Sequence, residues 1–168
     1  MIEKHLPLLQ PGKNPTLLDI GCGTGAFCYY MTGYGFQTTG LDTSKNMLKY
    51  ARRKNRGNSS NFVEGNILKG LPYADNSFDY VFTCFVAHGI NSKQRETLYR
   101  EALRVAGKMF IMHDYNTGRK LFTDIIEWAE RGDYFNFIKN VDREVKSIRE
   151  DVKIIPTNEQ TAWYIFKK

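Results

Sequence analysis

The sequence lacks any apolar run long enough to cross a membrane, and residues 1–13 carry no signal-peptide pattern. From these absences we expect a cytoplasmic protein with no membrane partner. No repeat, low-complexity segment or linker interrupts the 168 residues. A chain of this length and ordinary globular composition predicts one domain, residues 1–168, built around one hydrophobic core.

Cysteine is scarce and shows no pairing pattern. The chain has three cysteines, Cys22, Cys28 and Cys84, without the CxxC spacing of many zinc and redox sites. We therefore expect reduced thiols and no bound metal.

Acidic residues are absent from one basic stretch. The formal net charge is +6, and a cluster of Lys and Arg between positions 45 and 56 accounts for it, because the rest of the chain is balanced. A solvated helix face explains this stretch more simply than a phosphate-binding surface. Nucleic acid is thus a partner that the sequence leaves open but does not favour. The cluster consists of Lys45, Lys49, Arg52, Arg53, Lys54 and Arg56.

Short apolar and β-branched runs alternate with segments of helical periodicity. This alternation predicts an α/β fold with a mostly parallel sheet and helices on both faces. Helices are expected through about Met31, after an N-cap at Ser44, from an N-cap at Ser92 to Gly107, and around Lys120–Glu130. Strands are expected at Thr16–Ile20, about Phe36–Leu41, Asn61–Glu64, Phe78–Phe85, Met109–His113, Val152–Ile155 and Ala162–Phe166.

A glycine loop, Gly21–Gly25, lies between the first expected strand and helix. Glycine permits a sharp turn and a close ligand approach, and the helix start offers unpaired N–H groups. With Ala26 the loop also matches a dinucleotide fingerprint. Asp42 should end the second strand, where a carboxylate can accept hydrogen bonds from both ribose hydroxyls. The alternative is that Asp42 only caps the helix that follows.

The segment Leu17–Gly25 resembles the first motif of class I S-adenosylmethionine-dependent methyltransferases. That motif includes an acid two places before the first glycine, here Asp19, where dinucleotide dehydrogenases usually have an apolar residue. The resemblance implies a Rossmann-like, doubly wound sheet of seven strands in the order 3-2-1-4-5-7-6, with strand 7 antiparallel. It also implies S-adenosylmethionine as cofactor. Further stretches similar to the family follow in order at 40–44, 63–66, 71–81, 100–105 and 163–166.

The resemblance implies two groups of cofactor-binding residues. The glycine-loop backbone, the nearby acid and the end of strand four would face the methionine half. The end of strand two and the loop after strand three would hold the ribose and adenine. The first group is Asp19, Gly21, Cys22, Gly23, Cys84 and Phe85, and the second is Asp42, Thr43, Met47, Asn66 and Ile67.

Three features depart from the family pattern. His88-Gly89 stands where the family often has two histidines, and the turn before strand five is shortened to Ala106–Lys108. About fifteen residues precede strand one, so we expect the helices that commonly cover the methyl acceptor in this family to be mostly missing. The acceptor is therefore not identified by the sequence.

Methyl transfer from a sulfonium requires alignment and a dry pocket, and an oxygen or nitrogen acceptor can also need a base. His88, His113 and Tyr115 are the candidate catalytic residues, because they should follow or end strands four and five at the ligand-binding edge. Either histidine could instead be merely hydrogen-bonded near a loop. The aromatic stretch 133–138 would cover the acceptor pocket or pack on the helix layer.

These observations predict an enzyme that methylates a small molecule, as a monomer or homodimer. Methylation of RNA or another nucleic acid is the first alternative, although strand four ends in 83–86 without the Asn/Asp-Pro-Pro-aromatic sequence of amino-methylating enzymes. A non-catalytic S-adenosylmethionine-binding module is the second. A nicotinamide-dependent reductase is the third, and Asp19 argues against it.

Overall fold

The computed structural model describes residues 5–9, 11–118 and 132–168. The helix expected at Lys120–Glu130 lies outside these residues. Within them, seven strands form one sheet in the order β3-β2-β1-β4-β5-β7-β6. Neighbours among β1 to β5 are parallel, and β7 is antiparallel to both β5 and β6. The expected fold and strand order are confirmed. The strands are β1 Thr16–Ile20, β2 Gln37–Asp42, β3 Asn61–Glu64, β4 Phe78–Cys84, β5 Ala106–Tyr115, β6 Lys153–Pro156 and β7 Thr161–Lys167.

Two of the described helices, Lys45–Lys54 and Ser92–Val105, begin after a residue whose side chain accepts from a backbone N–H of the first turn. Ser44 caps one of them, since its Oγ accepts from the backbone N–H of Met47 at 3.3 Å. In the part of the chain that is described, no helix has the length and apolar character of a membrane span. The helices are α1 Ala26–Thr32, α2 Lys45–Lys54, α3 Ser92–Val105 and α4 Tyr134–Ile148.

The start of α3 corrects one expectation. Asn91, not Ser92, is the capping residue, because its Oδ1 accepts from the backbone N–H of Gln94 at 3.0 Å. Gln94 reciprocates through Oε1, which accepts from the backbone N–H of Asn91 at 3.0 Å. This capping box satisfies two helix-terminal donors at once and therefore outcompetes a serine one residue later.

The end of α3 also differs from the expectation. The helix was expected to end at Gly107, with strand five beginning at Met109. The chain instead passes from Val105 directly into β5, since buried Ala106 is already extended and pairs with Phe78 of β4. The strand is consequently ten residues long.

Successive strand residues alternate between two apolar layers, one on each face of the sheet. Leu18 and Val81 belong to a core cluster shared with α3 and α4. Leu17 and Tyr80 belong to the opposite cluster, which includes Met31 of α1. Because β1, β2, β4 and β5 are parallel, their carboxyl ends meet along one edge of this sheet, which is where open α/β sheets bind ligands.

The aromatic stretch at 133–138 opens α4 and packs on α3. Phe137 and Ile138 are buried. Arg95 of α3 is fully buried and lies 2.8 Å from Asp133 and 2.7 Å from Glu144, so an ion-pair network joins the two helices. The stretch thus packs on the helix layer, and its Tyr134 ring also lies 4.9 Å from the ring of Tyr115.

Candidate active site

The glycine loop turns with positive φ at Gly21, Gly23 and Gly25, with values of 75°, 51° and 72°. Residues with a side chain rarely adopt such angles. A Cβ on Gly21 would lie 2.5 Å from Cγ2 of Val86, so glycine permits the loop to touch the segment after β4. A Cβ on Gly23 would meet nothing within 4 Å. The loop therefore leaves open space at Gly23.

Asp42 at the end of β2 is hydrogen-bonded to the glycine loop. The backbone N–H of Gly23 donates to Asp42 Oδ2, and that of Ser44 donates to Oδ1, both at 2.8 Å. The N–H groups of Gly21 and Cys22 donate to the carbonyl of the neighbouring Leu41. The loop and Asp42 thus converge, and each carboxylate oxygen keeps a further lone pair for a ligand.

A cleft of about 230 Å³ opens beside Asp42. Asn66 holds the loop on its far side, since Oδ1 accepts from the backbone N–H of Leu68 at 2.9 Å. Five of the predicted cofactor residues line the cleft: Gly21, Asp42, Thr43, Asn66 and Ile67. Sequence reasoning missed its apolar walls, Ile20, Leu41, Gly65, Leu68, Val86 and Ile90.

For the wall residues that sequence reasoning missed, the only signal in the sequence was their position relative to the predicted strand ends. Ile20 and Leu41 are the last apolar residues before Gly21 and Asp42, at the ends of two parallel strands. Val86 and Ile90 lie after β4, where no local motif shows which side chains turn toward the cleft.

Six predicted cofactor residues do not line this cleft. Asp19 lies buried in β1, and Cys28 Sγ donates to its Oδ2 at 3.6 Å. Burial raises the pKa of Asp19 to about 7, the thiol contact opposes this, and the charge of Asp42 adds to it. Met47 is 46% exposed on α2. The remaining four are Cys22, Gly23, Cys84 and Phe85.

Burial raises the pKa of the thiols of Cys22, Cys28 and Cys84. Burial, with the nearby Asp19 and Asp42 charges, raises the pKa of Cys22 to about 12, so its thiol stays protonated. The described residues contain no group of three or more His, Cys, Asp or Glu side chains arranged to hold a metal ion.

The three predicted catalytic residues lie together around Phe85, just past β4. The Phe85 ring centroid lies 4.9 Å from that of His113, 5.5 Å from Tyr115 and 6.3 Å from His88. Phe85 is 45% exposed and has a φ of 54°, which is rare for a bulky residue. Such backbone strain concentrates at functional sites.

A buried carboxylate that sequence reasoning missed fixes one histidine. Asp114 Oδ1 lies 2.7 Å from Nδ1 of His88, and Asp114 is fully buried. The same carboxylate accepts from the backbone N–H groups of Ala87 and Tyr115 at 2.9 and 2.8 Å. Its position between His113 and Tyr115 was visible in the sequence, but the pairing with His88 depends on tertiary structure.

His113 has a different environment. It is buried, its Nε2 lies 3.4 Å from Thr157 Oγ1, and it pairs with Trp163 across β5 and β7. Burial lowers the pKa of His113, although the charge of Asp114 opposes this shift. The lowered pKa keeps the ring neutral at pH 7. Of the two histidines, only His88 has a carboxylate on its Nδ1 that can stabilise a gained proton.

Solved structures share this fold at low sequence identity. An S-adenosylmethionine-dependent methyltransferase from Methanosarcina mazei superposes with a TM-score of 0.72 and 18% identity, covering 99% of this chain and 96% of that one. Magnesium protoporphyrin IX methyltransferase from Synechocystis, with bound S-adenosylhomocysteine, superposes with a TM-score of 0.71 and 15% identity, covering 99% of this chain and 81% of that one.

Curated relatives match about half of the chain. Demethylmenaquinone methyltransferase of Bacillus licheniformis is 39% identical over 83 residues, covering 47% of this chain and 35% of that protein. Malonyl-[acyl-carrier protein] O-methyltransferase of Pectobacterium atrosepticum is 35% identical over 100 residues, covering 58% of this chain and 38% of that protein. The chain thus spans little more than a third of the length of these relatives.

The family model described as "Methyltransferase domain" matches residues 18–109, which is more than half of the chain. The matched range runs from β1, across the glycine loop and Asp42, into β5. The chain therefore belongs to this methyltransferase family, and its resemblance to class I S-adenosylmethionine-dependent methyltransferases is confirmed.

Proposed function

We propose that residues 1–168 form one domain that transfers a methyl group from S-adenosylmethionine directly to a small molecule. The observation that carries this proposal is the hydrogen bond from the backbone N–H of Gly23 to Asp42. It joins the glycine loop to the end of β2 beside a cleft. The family match supports it. So do the relatives named as methyltransferases of demethylmenaquinone and of a malonyl-acyl carrier protein.

The cleft fits the nucleoside half of the cofactor. Its 230 Å³ is below the roughly 300–1,000 Å³ of sites that enclose a whole drug-sized ligand. Asp42 would accept the ribose hydroxyls, and Asn66 and Ile67 would border the adenine. The methionine half would extend through the open space at Gly23 toward Phe85, with Asp19 beneath it.

S-adenosylmethionine supplies a methyl group that its sulfonium charge already activates. The protein therefore has to align the acceptor and exclude water. We assign His88 as the base that removes a proton from an oxygen or nitrogen acceptor. Asp114 holds His88 through Nδ1, so proton transfer would use Nε2. Phe85 and Tyr115 would form apolar walls for the acceptor.

Calorimetry and a turnover assay test this proposal. The protein should bind S-adenosylmethionine and not NAD. It should release S-adenosylhomocysteine with at least one acceptor from a panel of quinols, phenols and malonyl thioesters. Binding of NAD alone would overturn the assignment. Cofactor binding without turnover on any acceptor class would reduce the domain to a non-catalytic module.

A further inference from the structure

The cations of α2 form a continuous exposed stripe, which we call the basic face: Lys45, Lys49, Arg52, Arg53 and Arg56. In the helix, Lys45, Lys49 and Arg53 follow one another at intervals of four residues, so they project from one side. Arg56 follows the helix end and lines the same cleft as Lys49 and Arg53. All five side chains are exposed.

The basic face is nearly uncompensated. Among described residues it has one ion pair, between Lys45 and Glu64 at 3.8 Å, and both side chains of that pair are more than half exposed. Arg52 Nη2 donates to the carbonyl of Phe62 instead of to an acid. Clustered charge of one sign creates a local potential that attracts anions.

Three clefts on this side of the molecule share lining residues in sequence. One, of about 370 Å³, contains Lys49, Arg53 and Arg56. Arg56 also lines a second cleft with Tyr29, and Tyr29 lines a third with Lys54 that reaches Thr24 of the glycine loop. No acidic side chain stands among the described residues that line them. The result is an electropositive path from α2 across α1.

Exposed aromatic rings are interleaved with the cations along this path. Tyr29 is 61% exposed and Tyr50 39%. The Arg53 guanidinium lies 5.1 Å and Lys54 Nζ 5.6 Å from the Tyr50 ring centroid. Cations that track a backbone, combined with aromatic faces on which bases stack, are the features of single-strand nucleic-acid sites. An acidic protein would use the charges but would not require the ring faces.

We propose that this path binds single-stranded nucleic acid. Lys49, Arg53 and Arg56 contact phosphates, and bases stack on Tyr29 and Tyr50. The path lies on the α1 and α2 side, away from the ends of β4 and β5 where His88 and Tyr115 lie. It is a binding surface independent of the proposed methyl transfer.

Salt-dependent binding tests the electrostatic part. Fluorescence anisotropy with labelled mixed-sequence RNA and DNA 12-mers, between 50 and 300 mM NaCl, should give a log–log slope of about −2 for three phosphate contacts. The triple variant Lys49→Gln/Arg53→Gln/Arg56→Gln should lose at least about tenfold in affinity, with a slope near zero. The matched control on α4, Lys139→Gln/Arg143→Gln/Lys146→Gln, changes the net charge equally and should retain the slope.

Tyrosine variants test the stacking part. Tyr29→Leu and Tyr50→Leu should each weaken binding at least about fivefold, whereas Tyr29→Phe and Tyr50→Phe should not. Full affinity in the leucine variants, or competition by polyglutamate as strong as by the oligonucleotide, would overturn the proposal in favour of an acidic protein partner. Absence of salt-dependent binding at 50 mM would overturn it outright. S-adenosylmethionine binding, measured on every variant, reports folding and tests the proposed function separately.

Discussion

The fully buried carboxylate of Asp114 lies 2.7 Å from Nδ1 of His88 and is held in place by the backbone N–H groups of Ala87 and Tyr115. A carboxylate in this position fixes the ring orientation and stabilises the protonated imidazole. The pairing links the end of β5 to the segment after β4, the two elements that would border a methyl acceptor. In the proposed mechanism it would orient the His88 ring as the proton acceptor.

Asp114→Asn should lower kcat and shift the acidic limb of the pH–rate profile to lower pH. The loss of negative charge makes the His88 imidazolium easier to deprotonate and the neutral ring a weaker base. S-adenosylmethionine affinity should be unchanged. His88→Gln should abolish this limb, whereas His113→Gln should leave it in place. A profile unchanged by Asp114→Asn, in protein shown to be folded by thermal unfolding, would contradict the role of Asp114.

Asp42→Ala should weaken S-adenosylmethionine binding by about 1–3 kcal/mol, typical for hydrogen bonds to a charged partner. The substitution removes the proposed ribose acceptor and leaves the N–H groups of Gly23 and Ser44 without their carboxylate partner. Calorimetry measures the change. Asp75→Ala is the matched control, because Asp75 is exposed, pairs with Arg104 and lies outside the cleft. Equal affinities for Asp42→Ala and wild type would remove Asp42 from the site.

Asp19 should make folding stability depend on pH. Its pKa is raised from 3.8 to about 7 by burial, so the folded chain retains a proton that the unfolded chain releases near pH 4. The contribution of Asp19 to stability is therefore fully present below about pH 4 and is lost as pH rises to about 7. The difference between the pKa values of Asp19 in the folded and unfolded chain corresponds to about 4 kcal/mol in the free energy of unfolding.

Urea unfolding of wild type and Asp19→Asn at pH 5, 6, 7 and 8 isolates this effect. The lowered pKa of His113 acts in the opposite direction, since that histidine destabilises the fold when it must gain a proton as pH falls. The difference between the two proteins cancels the His113 contribution. That difference should shift in favour of the asparagine variant as pH rises to 7 and then level off. A constant difference would show that Asp19 does not titrate in this range.

Arg95→Gln should destabilise the fold by about 3–5 kcal/mol, because it breaks a buried ion pair. Arg95 has no exposed side-chain surface and pairs with Asp133 and Glu144 across α3 and α4. Arg100→Gln on the same helix is the control, since its pair with Glu96 is more than half exposed and should contribute less than about 0.5 kcal/mol. Urea denaturation measures both variants. Equal losses in the free energy of unfolding would contradict a stabilising role for the buried ion pairs of Arg95.

The mostly parallel α/β sheet could be predicted from the alternation of strands and helices, and the strand order from the family resemblance. The meeting of Asp42 with the glycine loop could also be predicted, because both follow strand ends at one edge of such a sheet. The His88–Asp114 pair could not. It joins residues 26 positions apart through the register of β4 and β5, which no local pattern specifies. The positive φ of Phe85 was equally hidden, since only glycine and a few polar residues announce that conformation.

Helix α4 was missed although its signal was present. Tyr134, Phe137, Ile138, Val141 and Val145 follow helical spacing, and all are buried. The aromatic content of 133–138 indicates a segment that covers the acceptor pocket or packs on the helix layer, and does not by itself indicate a helix. The choice of Asn91 over Ser92 as cap was also available, because Gln94 stands three residues after Asn91.

The hydrogen bonds that Gly23 and Ser44 donate to Asp42 tie the glycine loop and the start of α2 to the end of β2 through the chain's own atoms. Their amide hydrogens should therefore exchange slowly with deuterium even in the ligand-free protein. A ligand entering this cleft would find its recess already formed, so little backbone entropy would oppose its association. Affinity at this position then depends mainly on the hydrogen bonds and apolar surface that the ligand itself brings, and the ordering of the loop subtracts little from it.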